Sequence, residues 1–128
     1  MTVVSRLVTH ADLDVGGTGA RQMSVSARLE AVLADGRSLV LLDDRGWSSS
    51  GPAGIRARIS AEEVERTARM VVGPDEPFDG KTDEQMAADH WGSLAGFLGQ
   101  QGVDVDAQEL ERLPHDVVLS KRLRAWIA

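Results

Sequence analysis

The sequence predicts an α+β protein in which the N-terminal half builds a mainly antiparallel β-sheet of about four strands and the C-terminal half supplies helices that pack against it. Three observations carry this expectation. Apolar and β-branched residues alternate along the stretch before Ser60, an Asp35-Gly36 dipeptide separates two apolar runs, and two capping signatures, Ser60 with Glu63 and Thr82 with Gln85, open helical patterns beyond it. With 128 residues the chain has the size of one ordinary domain and closes a core without disulfides or a structural metal, so 1–128 is read as a single unit.

The elements follow in order. "TVVSRLVTH" (2–10) has the β-branched content of an opening strand, and "MSVSARLEAVL" (23–33) places Val25, Ala27, Leu29, Ala31 and Leu33 on one face by strict alternation. Asp35-Gly36 suits the positive φ angles of a type I′ turn, and the run "SLVLL" (38–42) completes a β-hairpin. "GIRARIS" (54–60) alternates again, with Ile55, Ala57 and Ile59 on one side and Arg56 and Arg58 on the other, which predicts a fourth strand with one wet face.

Ser60 then caps a helix that buries Ala61, Val64, Ala68, Val71 and Val72 and stops at Gly73-Pro74. The longest helix starts after Thr82 and ends at Gly102. A shorter helix is expected from Asp106 to Leu113 and a last one from Ser120 to Ile127, behind the extended piece "DVVL". No internal repeat is visible.

Composition narrows the function. No apolar run approaches the roughly 18 residues of a membrane helix, and Arg6, His10 and Asp12 interrupt the start where an export signal would be apolar, so a cytoplasmic location and no membrane partner are expected. The absence of cysteine excludes thiolate chemistry and thiolate zinc sites. Arginine outnumbers lysine twelve to two, which is read as the codon bias of a GC-rich bacterial genome rather than as a sign of anion sites. Net charge is −6 but unevenly placed: residues 1–59 carry seven basic and six acidic side chains, whereas residues 60–128 carry seven and fourteen, or −7. A nucleic-acid binder needs a positive surface, and only the terminal "SKRLR" resembles one, so no nucleic-acid partner is expected.

Glycines cluster at "DVGGTG" (14–19). Asp14-Val15-Gly16-Gly17-Thr18 resembles the first phosphate loop of sugar kinases with the actin-like ATPase fold, where such a turn joins two strands and backbone amides approach the phosphates of ATP. Those kinases have two large domains and further nucleotide motifs. This chain has neither that length nor a second glycine-rich phosphate loop, so Gly16, Gly17 and Gly19 are read as a connection between the first strand and the hairpin, and no cofactor is assigned.

Candidate ligand-binding residues come from two places. The segment "DDRGWSSSGPAG" (43–54) reads as a loop, and it holds Trp47, a large amphipathic ring beside Asp43, Asp44 and Arg45 that can orient a polar ligand. On the long helix, Phe97, His90, Leu94, Ala87, Leu98 and Trp91 fall within an arc of about 120°, so His90 lies in the apolar face. Such a histidine is either a core residue bonded to backbone or, with a carboxylate to fix its tautomer, an acid or base facing a pocket shared with the Trp47 loop.

Ala88, Gly92 and Gly96, spaced by four, leave the other side of that helix nearly bare. Three internal glycines (Gly92, Gly96, Gly99) cost roughly 2 to 3 kcal/mol of helix stability, which predicts close approach by another element, either within the domain or across a homodimer interface. Asp75, Glu76, Asp79, Asp83 and Glu84 face only Lys81, but their spacing is not that of an EF-hand, and acids are expected at a helix N-terminus, so no metal site is assigned. His10, His90 and His115 each have a nearby aspartate (Asp12, Asp89, Asp116), yet no spacing forces them together and no nucleophile, metal or phosphate signature is present, so no catalytic residue is assigned.

The functional expectation is therefore a non-enzymatic interaction module, a regulator or toxin-neutralising protein whose acidic half meets a basic protein partner. The alternative is a small-molecule-binding protein or enzyme with its pocket between the Trp47 loop and the His90 helix.

Overall fold

A computed structural model describes residues 3–127; Thr2, at the head of the expected first strand, lies outside the described residues, as does the Arg56 side chain. Four strands form one mixed, mostly antiparallel sheet in the order β3-β2-β1-β4, with β1 Val4–Leu13, β2 Gln22–Leu33, β3 Ser38–Ser50 and β4 His115–Leu119. The helices are α1 Ala61–Val71, α2 Asp83–Gln100, α3 Ala107–Arg112 and α4 Lys121–Ile127. The architecture is the expected α+β arrangement of N-terminal strands and C-terminal helices.

Period-two patterning sets the sheet's two faces. Along β2, Met23, Val25, Ala27, Leu29, Ala31 and Leu33 are buried, and their β1 partners Leu7, Thr9, Ala11 and Leu13 are buried with them. This face meets the helices in two clusters. One joins Leu7, Leu29 and Leu33 to Val72, Trp91, Leu94, Leu98 and Leu110, and the other joins Leu13, Met23 and Val25 to Val64, Ala68 and Leu123. The opposite face carries His10, Asp12, Ser26 and Arg28 together with Val8, Val40 and Val118.

The β2-β3 hairpin lies where Asp35-Gly36 predicts it, with a different turn. Only Gly36 has positive φ (92°); the Gly36 amide donates to Leu33 O at 2.9 Å and the Leu33 amide to Arg37 O at 2.7 Å. This is a three-residue loop with glycine in the left-handed position rather than a type I′ turn. The Asp35 carboxylate accepts from the Arg37 amide at 3.0 Å and fixes the loop.

Two larger expectations are corrected. The segment 43–50 is the second half of β3, not a loop: Arg45 pairs with Ala27, Trp47 with Val25 and Ser49 with Met23. Register shifts around Leu29 let β3 carry extra residues near Asp43 and Asp44, so the turn-forming residues are absorbed as bulges. Gly46 makes the crossing possible, because a Cβ there would lie 2.6 Å from the Val25 carbonyl oxygen.

The second correction concerns 54–60, where "GIRARIS" forms a 3-10 turn over Ile55–Arg58 instead of a strand. Pro52 and Gly54 dictate this: Gly54 has φ 90°, and the Ile55 and Ala57 amides return to Pro52 O and Gly54 O, both at 3.1 Å. The fourth strand is β4, which contains the piece "DVVL" and runs parallel to β1 from Leu7↔His115 to Ala11↔Leu119.

The helices start where their caps predict. The Ser60 hydroxyl accepts from the Glu63 amide, Thr82 and Gln85 form the reciprocal capping box, and the Asp106 carboxylate accepts from the Glu109 amide. In α1 the buried stripe is narrower than expected, since Ala61 is exposed and Val71 half-buried. In α2 the buried residues are Met86, Trp91, Leu94 and Leu98, while Phe97 stays 38% exposed.

The glycine cluster is a closed connection between β1 and β2. The Gly17 and Thr18 amides donate to Asp14 O and Val15 O, and the Gly19 amide to Gln22 O. Thr18 Oγ1 bridges Asp14 O at 2.7 Å and the Ser24 amide at 3.1 Å. Amides that would have to face a phosphate are thus consumed inside the turn.

Candidate functional site

The five residues nominated as ligand contacts are distributed over three places. Arg45 and His90 converge, and what they converge on is the C-terminus of α1. The His90 ring donates from Nε2 to Val72 O at 2.9 Å, and Arg45 Nη1 lies 3.5 Å from Val71 O and 2.9 Å from Asp75 Oδ1. Cationic and N–H donors at a helix C-terminus satisfy carbonyls that the helix leaves unpaired. Burial lowers the His90 pKa, so the imidazole is neutral while it performs this structural role.

Trp47 borders with Asp44 and Arg45 an open cleft of about 370 Å³ that also takes in Asp14, Ser24 and Ser48, and it does not reach His90. It sits opposite Val25 on β3 and packs against both core clusters, bordering a shallow crevice with Met23, Ile59, Val64 and Thr67. His90 borders a different cleft of about 210 Å³, shared with Asp75, Phe78, Lys81, Met86, Asp89 and Ser93. Trp47 and His90 therefore do not line a common pocket. Asp44 approaches Arg45 at 3.8 Å, and Asp43 turns to the sheet face opposite the core clusters.

On that face Asp43 joins His10, Asp12, Ser26, Arg28, Val118 and Ser120 around a cleft of about 440 Å³. Its charges are largely spent on one another. Glu30 accepts from His10 at 2.8 Å and lies 3.4 Å from Arg28, while Asp12 takes two bonds from Arg122, at 2.7 and 2.6 Å, and a third from Ser120 at 2.7 Å. The Arg122 guanidinium beside it holds the Asp12 carboxyl down at about 2. Of these residues the sequence nominates only Asp43 as a ligand contact, although His10 and Asp12 occupy alternate positions on the same face of a strand, which is the signal that finds them.

The three histidines do not come together. His115 lies on the helix face, its Nε2 2.6 Å from Oγ1 of the buried Thr9, and burial lowers its pKa as it does for His90. Among the described residues no group of three or more His, Cys, Asp or Glu side chains is placed to hold a metal.

The helical layer is different in kind. From Asp75 to the end of α3 at Arg112 the chain carries ten carboxylates against two cations, Lys81 and Arg112, and all ten carboxylates are exposed. Among the described residues only Asp75, with Arg45, and Asp89, with Lys81 at 2.9 Å, form ion pairs. The remaining eight are Glu76, Asp79, Asp83, Glu84, Asp104, Asp106, Glu109 and Glu111. Crowding shows at α3, where hydrogen bonding with the Asp106 carboxylate pushes the Glu109 pKa up.

Within this layer lies a groove of about 400 Å³ between α2 and α3, lined by Glu84, Ala87, Ala88 and Trp91 from α2 and by Ala107, Gln108 and Glu111 from α3. Ala88 is thus a groove residue. Gly92 and Gly96 are exposed, and a Cβ at either would meet nothing within 4 Å, so the expected burial of that side within the domain is corrected: among the described residues no element approaches it.

Comparison with protein-family models, curated proteins and solved structures finds no match, and the geometry alone carries the functional reading. No helix among the described residues is long and apolar enough to cross a membrane.

Proposed function

We infer that the chain is a non-enzymatic interaction module, of the regulator or toxin-neutralising kind, whose acidic helical layer meets a basic protein partner. The observation that carries this reading is the set of ten exposed carboxylates between Asp75 and Glu111, eight of them without an ion-pair partner among the described residues. Like charges held this close repel one another and weaken the fold slightly. A basic partner removes that repulsion, steers its own approach through the field, and gains less from the rest of the molecule, where basic side chains outnumber acidic ones. Each histidine is already engaged, His10 with Glu30, His90 with the α1 C-terminus and His115 with Thr9, which further favours binding over acid-base chemistry.

Affinity isolation tests the reading. Wild-type protein and a variant carrying Asp83→Asn, Glu84→Gln, Glu109→Gln and Glu111→Gln are immobilised side by side, and retained proteins are eluted by a salt gradient. The expected result is a basic protein held by the wild type, released by salt and not held by the variant. Retention that ignores both salt and the four substitutions, or no specific retention at all, contradicts it.

A further inference from the structure

We propose that the groove between α2 and α3 seats a short amphipathic helix of the basic partner, with the apolar stripe of that helix over Trp91 and its lysine or arginine side chains flanking the stripe at Glu84 and Glu111. The proposal rests on the acidic layer being the docking surface, and adds where and in what conformation the partner binds.

Shape comes first. Ala87, Ala88 and Ala107 leave a trough because their side chains stop at Cβ, and Trp91, only 8% exposed, forms its floor. The volume of about 400 Å³ falls in the range of roughly 300 to 1,000 Å³ found for ligand sites. Water in such a trough contacts mainly hydrocarbon, so an apolar side chain that displaces it gains the ordinary free energy of burial.

Charge then selects the occupant. Glu84 stands on α2 and Glu111 on α3, both exposed and neither in an ion pair among the described residues, so the apolar floor has a carboxylate on each bank. An acidic or neutral segment would bring no counter-charge to either bank. A segment with apolar residues down its middle and cations on both sides answers all three features, and the long stems of lysine and arginine suit the step from floor to rim.

Backbone chemistry selects its conformation. The groove is walled by two helices and contains no strand edge, so an extended segment would bring amides and carbonyls that find no backbone partner there. A helix has already satisfied its backbone internally and presents only side chains, which is the helix-in-groove mode of recognition.

The test uses the full chain, labelled with nitrogen-15, and a synthetic peptide of roughly 16 residues with leucines at helical spacing and flanking lysines. An isomer with the same composition but leucines spread around the helix serves as control. The first peptide is expected to shift the Trp91 indole and the amides of Ala87, Ala88 and Ala107, to gain helicity, and to bind more tightly than the isomer by roughly tenfold or more. Ala88→Tyr, at an exposed position, and the pair Glu84→Gln with Glu111→Gln are each expected to weaken binding by roughly tenfold, while Glu62→Gln with Glu65→Gln on α1 leaves it unchanged. Equal binding of the isomer, or indifference to Ala88→Tyr, overturns the groove while salt-sensitive binding keeps the acidic-layer reading alive. Absence of salt-sensitive binding by either peptide overturns both. Perturbation of the same residues by self-association, without peptide, assigns the groove to a second copy and overturns the proposal.

Discussion

His90 and His115 are both buried enough to resist protonation, and each is tied to a neighbour that joins separate parts of the chain: Val72 at the end of α1, and Thr9 in the middle of the sheet. Because the folded pKa values lie below the ordinary histidine value of about 6.5, the unfolded chain binds more protons than the folded one as pH falls through that value. Stability from this source is complete above about pH 6.5 and declines below it. The melting temperature is therefore expected to drop between about pH 7.5 and pH 5.5, and the drop to shrink in a His90→Asn, His115→Asn variant. A flat profile for the wild type would show that neither ring is held neutral. Asp12 acts at lower pH, since its contribution is complete above the ordinary carboxylate value of 3.8, declines as pH falls below that value and is lost near about 2. Gly46 carries the sharpest steric requirement. Alanine there would force β3 away from the Val25 carbonyl, at 2.6 Å, and is expected to cost roughly 1 to 3 kcal/mol in chemical denaturation. An unchanged midpoint would mean that the β2-β3 crossing is looser than described.

At the scale of elements, α2 holds the clearest imbalance between local cost and local gain. A Cβ at either of its outer glycines would meet nothing among the described residues, so Gly92→Ala and Gly96→Ala remove backbone freedom from the unfolded state without creating a clash. Each is expected to raise unfolding free energy by about 0.5 to 1 kcal/mol. Destabilisation instead would indicate that this side of α2 is covered in solution by a second copy. Local chemistry made some elements legible from sequence. Ser60, Thr82 and Asp106 announce their helices because a cap is decided within four residues, and Asp35-Gly36 announces its hairpin for the same reason. The second half of β3 is not legible in that way, and of β4 only the extended character of "DVVL" is, not its parallel pairing with β1. Asp43, Asp44 and Gly46 have turn chemistry, and only pairing with β2, absorbed through bulges, keeps them in a strand. Likewise β4 is a strand because β1 offers it an edge far away in sequence, whereas the alternation in "GIRARIS" pairs with no described strand and yields to Pro52 and Gly54.

The whole molecule divides its charge by layer. On the sheet face opposite the core clusters, acids and arginines interleave on neighbouring strands and neutralise one another, as Asp12 with Arg122 and Glu30 with His10 and Arg28. Over the α2-α3 surface almost no cation is available to do so. The acidity of this half was visible in composition. That Glu84 and Glu111 flank an alanine-lined trough was not, because it depends on how α3 packs across α2. Arg45 and His90, which residue chemistry suggested as ligand contacts, are joined by the fold, but to close the end of a helix.

The central claim is that this layer binds through its charge. Its most direct test is the dissociation constant for the basic partner, or for the leucine-lysine peptide, at about 50 mM and about 300 mM salt, for the wild type and the fourfold acid-to-amide variant. The account predicts affinity that falls roughly tenfold or more across that range for the wild type and changes little for the variant. Equal affinities at both salt concentrations, or the same salt response in both proteins, would contradict it.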